Sequence, residues 1–232
     1  MASRKSRIIL IETSASLCSV ALAEEGRVIA YRESSDGRQH AALTAPFVKE
    51  VLDEAGLKVA DCAAVAVSAG PGSYTGLRVG SSTAKGLCFG AGIPLISLNT
   101  PDIIVSKALA GGLVPAGCSA IVPMIDARRM EVYSAVYSPL GERLTEITPV
   151  VVNSDSFADL DGTVLFVGDG ALKCKDVLER PGFVFEEVLA DAASMAPLAF
   201  RKLEERDFAD TAYFEPFYLK DFVATVSRKK LW

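Results

Sequence analysis

The order of secondary-structure signals constrains the fold of this chain most, because the same order occurs twice. Each copy has three apolar, β-branched runs separated by short polar turns, and a helical pattern follows them. The predicted strands are 8–11, 18–23 and 28–32 in the first copy and 120–125, 131–137 and 142–152 in the second. The predicted helices are 40–55 and a short one near Ser154. The sequence therefore predicts an α/β protein with two lobes of related topology, each a mixed sheet opened by a three-strand meander with flanking helices.

Further elements follow the first copy and end the chain. A continuous apolar run at 63–68 predicts a buried strand, which a glycine-rich loop joins to a second long helix. A strand at 93–98 closes the first lobe, and a last helix is predicted at 190–206. Pro46 lies inside the first helical pattern and has no N–H to donate, so we expect a kink there or a later helix start.

A cluster of glycine and proline separates the two copies, and such clusters are typical of connecting segments. The cluster consists of Gly111, Gly112, Pro115 and Gly117. It predicts an N-terminal lobe at 1–109, carrying the glycine-rich loop and the first two helices, and a C-terminal lobe at 110–232 with the final helix and a tail. The basic end of that tail, formed by Arg228, Lys229 and Lys230, is interpreted as a solvated terminus, with contact to nucleic acid held elsewhere as the alternative.

The composition is that of a globular protein that does not grip nucleic acid by itself. Of 232 residues, 50% are apolar and 23% are charged, and the formal net charge is −5. Binding to a phosphate backbone depends on clustered Lys and Arg, so any RNA would be held mainly by a partner. The apolar run at 8–11 is too short for a signal peptide or a membrane span, so we expect a cytoplasmic protein without membrane contact.

The cysteine and histidine content limits the possible chemistry. The five cysteines are odd in number, widely spaced and mostly inside apolar runs, which favours reduced thiols in the core. No pair has the close spacing of a zinc site, and the single histidine argues against a metal-dependent hydrolase. That histidine, His40, could act as a general base, but no nucleophile stands near it in a recognisable setting. The sequence favours a structural role for it at the helix start.

One glycine-rich run and several landmarks resemble a known family. The run SAGPGSYTGLRVG at 68–80 resembles the signature of the TsaB family, in which Gly-Pro-Gly-Ser-aromatic-Thr-Gly opens the second helix. Other landmarks of that family recur in order. They are Glu12-Thr13 after the first strand, His40 followed by Pro46, IDAR at 125–128 with EVY at 131–133, and EPFYL at 215–219. The resemblance spans nearly the whole chain.

The resemblance implies an actin-like, RNase H-like ATPase architecture and a place beside TsaD and TsaE in tRNA modification. TsaD carries the transfer chemistry in that system, so the expected role of this chain is a non-catalytic scaffold that binds and activates TsaD in threonylcarbamoyl modification of the tRNA adenosine adjacent to the anticodon. Members pair with TsaD through their first two helices, and we expect a homodimer when the chain is alone. Contact with tRNA is expected only through the complex. No cofactor is expected to bind tightly. Binding of ATP or ADP at the junction with TsaD is left open.

The second helix has a line of small residues that could admit a partner helix. Gly76, Gly80, Ala84 and Cys88 recur every four residues, and the first helix is apolar on more than one stripe. The alternative is that both helices are buried on two sides within their own fold. With the resemblance, we predict a partner interface. It consists of Leu43, Phe47, Val51, Gly76, Val79, Gly80, Thr83 and Ala84.

The loops at the two lobe openings resemble phosphate loops in weakened form. A helix start preceded by glycines can bind an anion, but this one lacks the Gly-Lys-Ser/Thr ending, and Pro71 has no N–H. Glu12 stands where the family usually has Asp, and its extra methylene should move the carboxylate outward. The vestigial loops are predicted to comprise Glu12, Thr13, Ser14, Gly70, Gly72, Ser73, Asp126 and Arg128. The structural alternative is a tight turn with packing glycines, and the functional alternative is a weak ATPase or small-molecule kinase.

Overall fold

Two five-stranded sheets form the protein, and the first contains the N-terminal strands. The computed structural model describes residues 6–36 and 39–217. The first sheet comprises β1 (Arg7–Glu12), β2 (Cys18–Glu24), β3 (Arg27–Ser34), β4 (Ala64–Gly70) and β5 (Leu95–Asn99). Its strand order is β3-β2-β1-β4-β5, with the first three strands antiparallel and β4 and β5 parallel to β1. The helices α1 (His40–Glu54) and α2 (Tyr74–Ala91) contact this sheet, and α3 (Thr100–Ala110) follows it.

The second sheet repeats this topology. It comprises β6 (Cys118–Asp126), β7 (Glu131–Ser134), β8 (Thr148–Val151), β9 (Thr163–Val167) and β10 (Phe183–Glu186). Its order is β10-β9-β6-β7-β8, again with a meander on one side and parallel strands on the other. The helices α4 (Ala171–Leu178) and α5 (Ala196–Glu205) belong to this half of the chain. Two lobes with related mixed sheets confirm the predicted architecture.

The alternation of side chains along β1 explains why this strand lies between two cores. Ile8 and Leu10 pack into a central core that also contains residues of the second sheet and of α3 and α5. Ile9 and Ile11 point to the opposite face, into the core beneath α1 and α2. All four are fully buried, as expected for a strand covered on both faces.

Several predicted boundaries are wrong in detail. The first helix begins at His40 with Pro46 inside it, so the later start is wrong. The segment at 154–159 forms turns rather than the helix expected near Ser154. The final helix is shorter than 190–206, because a 3₁₀ turn at Ala193–Met195 precedes α5. The strand predicted at 131–137 ends at Ser134, and only Thr148–Val151 of the next is a strand.

The chain returns to the first lobe after it has built the second. Helix α5 packs against β1 and β5. Beyond it, Ala209 forms a bridge with Leu95, and the N–H of Phe217 donates to the carbonyl of Ala69 at 2.7 Å. The boundary at 109/110 stays a prediction, but this return shows that residues after 110 also pack on the first sheet. Within the described residues, no helix is both long and apolar enough to span a membrane.

Tyr218 and Leu219 of the terminal family segment lie outside the described residues, as do Arg228, Lys229 and Lys230 of the basic tail.

Candidate functional site

The turn that follows β1, residues 12–16, holds a buried carboxyl group; we call it the β1–β2 turn. Glu12 is fully buried, and its Oε1 accepts the backbone N–H of Ser14 at 2.5 Å. Its Oε2 has no hydrogen-bond partner in the described part of the chain, and the same holds for Thr13 Oγ1 and Ser14 Oγ. Burial, the largest influence, raises the pKa of Glu12 to about 7. The expectation that the longer side chain moves its carboxylate outward is wrong, because the side chain folds back into the turn.

The start of α2 is seated directly on this turn. The N–H of Ser73 donates to the carbonyl of Ser14 at 2.6 Å, and the Ser73 hydroxyl caps the helix by accepting from Gly76 N–H at 3.3 Å. A Cβ on Gly72 would overlap the carbonyl oxygen of Ser14, and one on Gly76 would overlap that of Thr13. The glycines therefore permit close backbone approach, which was the structural alternative for this loop.

The line of small residues on α2 is an internal contact, which corrects part of the predicted partner interface. Gly76, Gly80 and Ala84 are buried, and a Cβ on Gly80 would overlap the Thr13 hydroxyl. Val51 on α1 is also fully buried, within the core beneath the two helices. These four residues pack against the chain's own β1–β2 turn and first sheet, so they present no surface to a partner.

The remaining predicted interface residues lie toward the outside of the two helices. Leu43, Phe47, Val79 and Thr83 are half-buried. Val79 and Thr83 line an open groove of about 520 Å³ between α1 and α2. We call this surface the α1–α2 face. The groove is lined by Ala41, Tyr74, Thr75, Arg78, Val79, Ser82 and Thr83. The guanidinium of Arg78 lies 4.2 Å from the centre of the Tyr74 ring, so a cation stacked on an aromatic ring borders it.

A second cavity, the interlobe cleft, lies where the openings of the two lobes meet. Its volume is about 300 Å³. It is lined by Ser14, Ala15, Ser16, Gly72, Ser73, Ile125, Asp126, Arg128 and Asp169. Five of the eight predicted loop residues are therefore brought together. Glu12, Thr13 and Gly70 do not line the cleft, and Glu12 and Thr13 are fully buried.

The charges on the second-lobe side of the cleft are largely satisfied by neighbours. Asp126 Oδ1 accepts the N–H of Arg128 at 2.7 Å. The Lys173 ammonium forms an ion pair with Asp126 and donates to the carbonyls of Arg129 and Glu131, at 2.9 and 2.7 Å. This lysine therefore neutralises the carboxylate on which a cation-dependent site would rely.

Two functional neighbours, Asp169 and Lys173, were not predicted from the sequence. Asp169 Oδ1 accepts the N–H of Asp126 at 2.9 Å, and burial raises the pKa of Asp169. The available signal is Gly168-Asp169-Gly170 directly after the apolar run 163–167, which is a turn at the end of a strand. No group of three or more potential metal ligands occurs among the described residues.

His40 has a structural contact at the start of α1. The side chain is 5% exposed, and its Nε2 lies 3.0 Å from the carbonyl oxygen of Ala15. The Thr44 hydroxyl donates to the His40 carbonyl at 2.7 Å. The contact with Ala15 attaches the first turn of α1 to the β1–β2 turn, which is the structural role that the sequence favoured.

Comparison with known proteins identifies the family. A family model described as "TsaD: tRNA N6-adenosine threonylcarbamoyltransferase" matches residues 33–177. The tRNA threonylcarbamoyladenosine biosynthesis protein TsaB of Escherichia coli K12 is 33% identical, over 94% of this chain and 96% of its own. The chain belongs to the TsaB family. TsaB of Bacillus subtilis 168 is 30% identical over 92% of this chain and 93% of its own. The solved structure of YeaZ from Pseudomonas aeruginosa is 26% identical with a TM-score of 0.78, covering 92% of this chain and all of that one.

Proposed function

We propose that this chain acts in the biosynthesis of threonylcarbamoyladenosine in tRNA, as a non-catalytic subunit that binds and activates TsaD. The observation that carries the proposal is the extent of the match. More than 90% of this chain aligns with more than 90% of relatives whose names assign them to that pathway.

The α1–α2 face supports a docking role. Val79 and Thr83 border a groove between two exposed helices, and Arg78 stacked on Tyr74 places an aromatic ring and a cation at its edge. Aromatic and arginine side chains are enriched at the centres of protein interfaces. TsaD is the occupant that the family resemblance implies, and a second copy of this chain is the occupant when TsaD is absent.

The interlobe cleft supports the absence of independent catalysis. The Ser73 N–H at the helix start is already bonded to the Ser14 carbonyl, so it is not available to a phosphate. Asp126 is paired with Lys173, and Glu12 is buried behind the turn. Phosphoryl transfer needs bound metal and free donors around the phosphates, and these contacts remove several of them.

TsaE is the other partner that we propose for this complex. ATP or ADP would bind at the junction of this chain with TsaD rather than to this chain alone. Contact with tRNA would come through the complex, since the chain is acidic overall with a net charge of −5.

Size-exclusion chromatography with light scattering tests the proposed association. The chain and TsaD of the same organism are run separately and mixed, and a stoichiometric heterocomplex is expected in the mixture. Val79→Glu should prevent the complex, because it places a carboxylate at the groove. Leu144→Glu is the matched control, since Leu144 is 61% exposed and lies outside the face. Two unchanged peaks for the wild-type mixture, with and without ATP, would contradict the proposed function.

One observation favours the alternative of a weak ATPase or small-molecule kinase. The cleft gathers Ser14 and Ser73 of one lobe with Asp126 and Arg128 of the other, as an active member of the architecture would. Incubation of the purified chain with ATP and magnesium separates the two functions. We expect phosphate release at the level of the buffer blank. Release above it that is lost in Asp126→Ala would support the alternative.

A further inference from the structure

The β1–β2 turn is attached to the first turns of both helices of the α1–α2 face. On the α2 side, the Ser14 carbonyl accepts the Ser73 N–H at 2.6 Å. On the α1 side, the Ala15 carbonyl oxygen lies 3.0 Å from His40 Nε2. A change in the conformation of this one turn would therefore shift the N-terminal ends of both helices, including the residues that begin the groove.

The carboxyl group inside this turn is fully buried, and burial raises the pKa of Glu12 more than the neighbouring hydroxyls of Ser14 and Ser68 lower it. Glu12 Oε1 accepts a single backbone N–H, that of Ser14, and Oε2 has no partner in the described residues. The hydroxyls of Thr13 and Ser14 are buried beside it and also have no partner there. A neutral carboxyl can donate its proton inside such a cluster, whereas a buried carboxylate adds an uncompensated charge.

The surroundings of Glu12 provide no counter-charge. The groups that face it are the Ser68 hydroxyl from β4, the Cys18 thiol from β2 and the Asp191 carboxylate from the segment before α5. Asp191 is itself negative, although Lys107 pairs with it at 2.6 Å. Helix α2 presents glycines to the turn, and α1 presents His40, whose ring contacts the Ala15 carbonyl. Within residues 6–36 and 39–217, no lysine or arginine forms an ion pair with Glu12.

We propose that Glu12 is a proton-operated switch for the α1–α2 face. With a neutral Glu12 the β1–β2 turn stays closed beneath α2, and ionisation of Glu12 opens the turn and weakens partner binding. The proposal rests on the proposed function for the identity of the partner, TsaD. Because burial raises the pKa of Glu12 to about 7, the change falls near neutral pH. Binding therefore weakens as the pH rises.

The test measures the dissociation constant of the full chain for TsaD at pH 6, 7 and 8. If only the neutral form binds, the competent fraction falls about tenfold between pH 6 and pH 8, and the dissociation constant rises by the same factor. Glu12→Gln cannot ionise, so it should lack this rise. Any pH dependence that belongs to TsaD affects the wild type and Glu12→Gln alike. It therefore cancels in the ratio of their dissociation constants.

Glu205→Gln is the matched control, because Glu205 is an exposed carboxylate on α5 and the same charge is removed. It should keep the wild-type rise. An equal pH dependence of wild type and Glu12→Gln would overturn the switch while leaving the proposed function intact. Absence of TsaD binding by the wild type at every pH would instead overturn the proposed function.

A second measurement uses the wild-type chain alone, without TsaD and without any substitution. Carbon-13 NMR of the wild-type chain follows the Glu12 carboxyl, and amide exchange follows the Ser73 N–H, corrected for the intrinsic effect of pH. We expect Glu12 to titrate near pH 7 and the protection of Ser73 to fall through the same midpoint. Titration of Glu12 below pH 5, or protection of Ser73 that does not change, would contradict the switch.

Discussion

The N–H of Ser73 donates to the carbonyl of Ser14 at 2.6 Å, and this bond joins the β1–β2 turn to the start of α2. Ser14 follows the first strand, and Ser73 caps helix α2. The bond and the adjoining glycines turn this half of the cleft into a packed contact. The same contact supports the start of α2, and thereby the α1–α2 face.

Substitution of Gly80 tests the internal packing of α2. Gly80→Ala should lower the free energy of unfolding by about 1–3 kcal/mol, because the new methyl overlaps the Thr13 hydroxyl. Urea denaturation measures the change. Gly86→Ala on the same helix is the control, since a Cβ there meets open space, and it should raise stability by about 0.5–1 kcal/mol. Equal effects of the two substitutions would contradict the packing at Gly80.

The ionisation of Glu12 should make stability depend on pH. Its pKa is raised from 4.5 to about 7 in the folded chain. The folded state therefore holds a proton that the unfolded state releases between these values, so the stabilisation is complete below pH 4.5 and is lost as the pH rises to about 7. The loss should be about 3 kcal/mol at most.

Denaturation of wild type and Glu12→Gln from pH 4.5 to pH 8 isolates this contribution. The difference in unfolding free energy between them should change with pH, and it should level off above pH 7. A difference that is constant across the range would show that Glu12 has an ordinary pKa in the folded chain.

Lys173 should stabilise the second-lobe side of the cleft. Lys173→Met removes the partner of Asp126 and leaves the carbonyls of Arg129 and Glu131 without this donor. Because the lysine side chain is 24% exposed, water replaces part of what is lost, and we expect destabilisation by about 1 kcal/mol. Lys175→Met, on the exposed side of α4, controls for the loss of charge. Thermal or chemical denaturation that ranks the two variants equally would contradict this role.

Local periodicity was enough to predict the two lobes, because strands such as β1 and helices such as α1 have clear apolar patterns. Helix α3 was missed since Thr100 and Pro101 directly follow β5, and the glycines near 111 suggested a connecting segment. Strands β9 and β10, which are five and four residues long, were not predicted from the sequence. Their positions depend on pairing with distant strands rather than on a local signal.

The position of the cleft could be predicted from its motifs, but the direction of its side chains and its ion pairs could not. The sequence places Ser14, Ser73 and Asp126 at the ends of strands or the start of a helix, which brings them to one edge. The direction of the Glu12 carboxyl depends on tertiary packing, and the ion pair of Lys173 with Asp126 spans 47 positions. A line of small residues such as Gly76 and Gly80 suits an internal contact as well as a partner helix, so the sequence alone left both open.

The most direct test is reconstituted threonylcarbamoylation of tRNA by TsaD and TsaE, supplied with an activated threonylcarbamoyl donor, and with this chain omitted, added as wild type, or added as Val79→Glu. We predict modified adenosine only when the wild-type chain is present, and a loss of about tenfold or more with Val79→Glu, in line with a central interface position. Leu144→Glu should support wild-type yield. Equal yields with and without the chain would contradict the account.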